Sequence, residues 1–142
     1  MDINELNMIG ILPWNVIKDH EADITVFLNR ALQYNGGEQD LQDVYEGLET
    51  GEYVCFGEFL GGKITTVFII NMIHYPKKKL MNILLGAGVD LYSPREEFLH
   101  KICEFAKTND CDSIAIHGRR GWIKVLQDYG FKQPYVVLER KL

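Results

Sequence analysis

Cysteine is scarce in this chain and follows no pattern. Cys55, Cys103 and Cys111 show no metal-ligand or redox spacing, and each falls in or beside an apolar segment. Reduced, buried thiols in a cytosolic compartment are therefore expected, and a disulfide framework is excluded. Long apolar runs are missing too. The longest, residues 67–73, is interrupted by Asn71 and is far shorter than the roughly 20 residues a membrane span needs. The N-terminus lacks the basic region and apolar stretch of a signal peptide, so no membrane partner is expected and the cytoplasm is the expected location. Positive charge is also sparse. Basic residues run together at 77–79 and 119–120 in a chain of net charge −5, which argues against a nucleic-acid partner. Repeats, linkers and low-complexity segments are absent. The 142 residues read as one domain, 1–142, long enough to bury a core without disulfides or a structural metal.

What is present is a sequence of clear elements. Residues 8–12 suit a short edge strand, and Pro13-Trp14 leads into a helix carried by Ile24, Phe27, Leu28, Ala31 and Leu32 and ended by Gly36-Gly37. A second amphipathic helix carries Leu41, Val44, Tyr45 and Leu48 and closes at Gly51. Three strands follow as an antiparallel meander. Residues 52–60 and 63–74 are joined by the hairpin signal Gly61-Gly62, and 80–85 ends at the break Gly86-Ala87-Gly88. Ser93-Pro94-Arg95-Glu96 reads as a capped helix start, and the helix carries Phe98, Leu99, Ile102, Cys103, Phe105 and Ala106.

The stretch 111–131 is the most informative. A short strand sets Ile114 and Ile116 on one face and Ser113, Ala115 and His117 on the other. A corner, Gly118-Arg119-Arg120-Gly121, leads to a helix with Trp122, Val125, Leu126 and Tyr129 at i, i+3, i+4, i+7. Gly130 should stop it with Phe131 closing a Schellman motif, and residues 134–138 should form a last strand. A meander feeding a strand–helix–strand crossover gives a mixed sheet with helices on both faces. The third strand and 112–117 then lie parallel, with the natural ligand crevice at their C-terminal ends.

This order resembles the GNAT N-acetyltransferase superfold over most of the chain after about Asp23. In detail, Gly118-Arg119-Arg120-Gly121-Trp122, Val125-Leu126 and Tyr129-Gly130-Phe131 look like the corner found in small GNAT-like proteins of tailed bacteriophages. The resemblance implies an α/β, mostly antiparallel sheet of five or six strands. It also implies acetyl-CoA as cofactor, its pantetheine between the two parallel strands. Leu85, Gly86, Ala87 and Gly88 then stand where the thioester and pyrophosphate are bound, a strand N–H near Leu85 polarises the thioester carbonyl, and Arg95 and Arg119 are phosphate partners. The chain departs from the family pattern at three points: Ile83 stands where a Gln or Arg is usual, Leu126 where an acid tyrosine is common, and Arg119 where an Asn is common.

Other residues suit chemistry by type. Glu52, Glu58 and His74 are candidate general bases on the strands, with Glu52 and Glu58 on one face by alternation; two solvated carboxylates on an edge strand is the plainer reading. His100, Cys103, Cys111 and His117 are zinc-compatible types without a matching spacing, and no metal site is assigned. Two functions stay open. One is an acyl-CoA-binding N-acetyltransferase acting on a primary amine. The other is a non-catalytic phage protein of the same fold, partnered by a phage or host protein in the host cytoplasm or the virion.

Overall fold

The computed structural model describes residues 7–34, 37–88, 96–117 and 126–142. The elements are β1 (Met8–Ile11), α1 (Trp14–Asp19), α2 (Glu21–Leu32), α3 (Leu41–Thr50), β2 (Val54–Leu60), β3 (Lys63–Tyr75), β4 (Lys78–Gly88), α4 (Glu96–Thr108) and β5 (Ser113–Ile116). The five strands form one mixed sheet in the order β1-β2-β3-β4-β5. Neighbours are antiparallel except β4 and β5, which the crossover through α4 makes parallel. The expected mixed α/β class, mostly antiparallel with helices on both faces, is what the chain adopts.

Two cores hold the layers. On one face Ile17, Ile24, Leu28, Val44 and Leu48 of α1–α3 cover Cys55, Phe59, Val67, Ile69, Leu85 and Ala87. On the other, Phe98, Ile102 and Ala106 of α4 cover Phe56, Phe68, Ile70, Met81 and Ile83. Phe98 sets its ring edge-on to Phe56 and Phe68, at 5.4 and 4.9 Å between centroids. Each fully buried aliphatic side chain contributes about 1.5–3 kcal/mol, so β3 and β4, apolar on both faces, carry the fold.

The local signals work as their chemistry requires. Gly61 and Gly62 take positive φ in the β2–β3 hairpin, and Gly51 takes it after α3. Gly130 is left-handed as well. Its N–H donates to the Gln127 carbonyl (3.3 Å) while that of Phe131 donates to Leu126 (3.4 Å), the paired bonds of a Schellman motif. They close a short 3-10 turn, Gln127–Tyr129; the stripe residues Trp122 and Val125 lie outside the described residues.

Three expectations are corrected. The first helix is two, because His20 leaves helical geometry (φ −114°, ψ 21°) and sets its ring against Phe59. Gly86-Ala87-Gly88 does not break the third strand: β4 runs through it, with Gly86 opposite Phe68 and Gly88 opposite Thr66. Residues 134–138 form no strand. They make no ladder with the described residues, and Tyr135, Val136, Val137 and Leu138 are all exposed. Strand propensity alone does not hold an unpaired strand in water.

Candidate functional site: the opening between the parallel strands

The site begins with one extra residue. Ile69 pairs with Leu85 and Ile70 with Ile83, so Leu84 has no partner on β3 and bulges β4. The bulge shifts the alternation of faces. Met81 and Ile83 point to α4, whereas Leu85 and Ala87 point to α1–α3.

Pairing with β5 stops at the same place. The parallel ladder joins Leu80–Ile83 to Ser113–Ile116. At its start Asp112 N–H donates to the Lys79 carbonyl at 2.8 Å; at its end His117 N–H reaches the Ile83 carbonyl at 3.4 Å. Beyond Ile83 no described residue pairs with the outer edge of β4.

Backbone direction there follows from the register. Leu12 N–H donates to the Cys55 carbonyl (2.9 Å), so Cys55 turns its polar groups to β1. Alternation then turns Val54 and Phe56 toward β3, Ile70 and Phe68 toward β2, and Ile69 and Val67 toward β4. Leu85 and Ala87, opposite Ile69 and Val67, are therefore bonded to β3. Gly86 and Gly88 turn their N–H and C=O groups to the other edge, into the opening. Neither glycine has positive φ; both are needed for close approach. A Cβ on Gly86 would stand 2.9 Å from the Phe68 ring, and one on Gly88 would stand 2.6 Å from the Thr65 carbonyl oxygen. Backbone donors held rigidly in a gap can receive a carbonyl or phosphate oxygen.

A cleft of about 2090 Å³ adjoins this opening and is lined from the α2 side and from α4. Its walls include Tyr34 after α2, Asn82 and Leu84–Gly88 of β4, His117 after β5, and Tyr129. Four of the six site residues expected from sequence, Leu85, Gly86, Ala87 and Gly88, stand side by side on this wall. Arg95 and Arg119 lie outside the described residues. By the register, the donor expected near Leu85 belongs to Gly86, since Leu85 turns its own N–H to β3.

The other candidates disperse. Glu52 precedes β2 in an exposed turn, not on the strand. Glu58 is not solvated: it is 4% exposed and lies on the α4 face, accepting from Thr65 Oγ1 at 2.7 Å and Thr66 Oγ1 at 3.4 Å. His74 lies opposite Lys79, seven residues before Gly86 on β4 and so roughly 20 Å from that donor at the rise of a strand. His100 pairs with Glu104 on the exposed face of α4 (3.0 Å). Burial pushes the Cys55 thiol up to about 12, and it also raises Cys103 and Cys111, so none is an activated nucleophile. Among the described residues no group of three His, Cys, Asp or Glu is placed to hold a metal ion, and no helix is long and apolar enough to cross a membrane.

One polar group was missed by sequence reasoning. Asn82 is 3% exposed in the middle of an apolar strand. Its Nδ2 donates to Asn71 Oδ1 at 3.0 Å, and its Oδ1 is hydrogen-bonded to His117 Nδ1. The signal was one polar residue in the run 80–87, where burial without a partner costs several kcal/mol.

No protein-family model matches the chain, and no curated protein matches it. Solved structures do. A GNAT family acetyltransferase of Staphylococcus aureus superposes with a TM-score of 0.67 at 14% identity, over 96% of this chain and 98% of that one. A predicted acetyltransferase of Clostridium acetobutylicum, solved with acetyl-CoA, gives 0.68 at 14%, over 96% of each chain. An aminoglycoside N-acetyltransferase in complex with CoA gives 0.70 at 16%, over 96% of this chain and 95% of that one. With the bulged β4, the parallel β4–β5 pair and helices on both faces, the chain has the fold of the GNAT acetyltransferases.

Proposed function

We propose that the protein binds an acyl-CoA, acetyl-CoA first among them, in the opening between β4 and β5 and transfers the acyl group to a primary amine. The observation that carries this reading is the coincidence of three features at one point: the bulge at Leu84, the end of the β4–β5 ladder at Ile83, and the outward N–H groups of Gly86 and Gly88. A thioester carbonyl in the gap would accept from Gly86 N–H, where the growing negative charge of the tetrahedral intermediate is stabilised without rearrangement. Gly88 N–H continues the row of donors along the pantetheine, and Arg95 and Arg119 are the assigned phosphate partners. Leu85 and Ala87 anchor the strand in the core beneath. The part of the cleft lined by Tyr34 and Asn82 is the approach for the amine, and holding amine and thioester in contact supplies much of the rate. Two neighbours of the same fold were solved with acetyl-CoA and with CoA.

A finer part of the reading is a phage-encoded protein acting in the host cytoplasm; it rests on the sequence of the Gly118–Trp122 corner, Val125-Leu126 and Tyr129-Gly130-Phe131. The second reading is a non-catalytic protein of this fold that docks on a phage or host protein. Leu126, which has no proton to give, and the exposed apolar side chains of 135–138 favour it.

A thermal melt with millimolar acetyl-CoA, with ATP as control, separates the two. At a hundred times its Kd the ligand adds about 2.7 kcal/mol of stability. A shift with acetyl-CoA and none with ATP is expected. No shift with either turns the choice to the docking protein.

A further inference from the structure

On the acyl-CoA reading, we propose that His117 is the general base that takes the proton from the acceptor amine, and that Asn82 and Asn71 determine which ring nitrogen does so. His117 directly follows Ile116, the last β5 residue in the ladder, whose partner is Ile83. The next residue on β4 is the bulged Leu84. The backbone of His117 therefore stands where the strands part, and its ring lies with Asn82 on the face opposite α4, because Ile114 and Ile116 pack on the α4 face, and lines the cleft.

The hydrogen bonds fix its tautomer. Asn82 gives its amide N–H to Asn71, which leaves its carbonyl oxygen toward His117. That oxygen only accepts, so the proton between the two groups belongs to Nδ1. A neutral imidazole with its proton on Nδ1 carries a lone pair on Nε2. Nε2 has no partner among the described residues, and the residue is exposed to the cleft. Arg30, Tyr34, Glu38 and Tyr129 also line the cleft. Asn82 and Asn71 are positioning residues. A nearly buried amide in an apolar strand is costly to keep, and here it holds the exposed ring in one tautomer.

The step balances. The amine nitrogen forms its bond to the thioester carbon as its proton passes to Nε2. The carbon–sulfur bond breaks with its electron pair going to the CoA sulfur, which is protonated from water, and the imidazolium returns its proton to solvent.

The test uses the whole chain labelled with 15N-histidine, with H117Q to assign the signal. In the wild type, neutral His117 should carry its proton on Nδ1, and in N82A the ring should shift to the other tautomer. Acetyl transfer from acetyl-CoA to ethanolamine, glycinamide and spermidine should fall about a hundredfold or more in kcat for H117Q, with the KM for acetyl-CoA unchanged. A proton on Nε2 in the wild type overturns the proposal. So does H117Q activity within about threefold of wild type, or binding of acetyl-CoA without transfer to any of the three amines, while acyl-CoA binding itself stands. Absence of an acetyl-CoA shift in the wild type removes the acyl-CoA reading and this base with it.

Discussion

Adding one methyl group at Gly88 tests whether β4 is placed as described. The new Cβ would lie 2.6 Å from the Thr65 carbonyl oxygen, 2.9 Å from Thr66 Oγ1 and 3.0 Å from Thr66 Cα. Two of the three obstacles are backbone atoms of β3, and Thr66 is itself 2% exposed, so neither strand has room to yield. Overpacking of this kind costs about 1–3 kcal/mol. Replacing glycine where φ is negative returns about 0.4–1 kcal/mol by restricting the unfolded chain. The net for Gly88→Ala is about 1–2 kcal/mol of destabilisation. At a urea m-value of about 2 kcal/mol per molar, the midpoint should drop by about 0.5–1 M. Gly86→Ala meets the Phe68 ring, a side chain that can tilt, so its loss should be the smaller. Gly10→Ala, whose Cβ would meet only Met8 Cε at 3.6 Å, is the control, and with the unfolded-chain gain unopposed its midpoint should hold or rise slightly. Equal midpoints for Gly88→Ala and Gly10→Ala would refute the close approach of β3 and β4 at the site.

Deleting Leu84 should leave the pairs Ile70–Ile83 and Ile69–Leu85 in regular alternation, so the chain should still fold with both faces of β4 intact. Its melt should then lose the response to acetyl-CoA; an undiminished shift would show that the bulge does not form the site. Cys55, 1% exposed, keeps its proton to about 12 in the folded chain, whereas an unfolded thiol ionises near the ordinary value of about 9. Above pH 9 the folded state holds more protons, so stability should fall as pH rises, by up to roughly 4 kcal/mol near pH 12. Cys55→Val should flatten that decline in urea titrations, and a slope equal to wild type would contradict it. Asp40 and Asp43 cap α3 reciprocally, at 3.0 and 2.9 Å. Asp40→Ala should cost about 1 kcal/mol in the same assay, and no loss would mean the cap is not formed in solution.

The residues that made the fold legible are those whose chemistry allows one use. Gly51, Gly61-Gly62 and Gly130 stand where only a left-handed residue closes the helix or hairpin, and all adopt positive φ. Gly86 and Gly88 were misjudged by the same rule, since they serve close approach to β3 and not chain reversal. Their spacing held the distinction. Glycines at i and i+2 fall on one face of a strand, and here that face meets Phe68 and Thr66. The bulge itself was invisible. The apolar residues Met81, Ile83, Leu85 and Ala87 keep an unbroken period of two, yet the extra residue sends the first pair to α4 and the second to α1–α3. Nothing local separates that sequence from a regular strand; the register with β3 decides it. Glu58 shows the same limit from the other side. A carboxylate on a strand reads as solvated, and partners such as Thr65 and Thr66 across the β2–β3 ladder make its burial tolerable. Asn82 was the exception available to a reader. One amide in an apolar strand demands partners, and the strand on either side has to provide them. Asn71 on β3 does so from one side, and His117 at the end of β5 does so from the other. The polar contact that could have been demanded from sequence is thus the one that brings a titratable ring to the mouth of the opening.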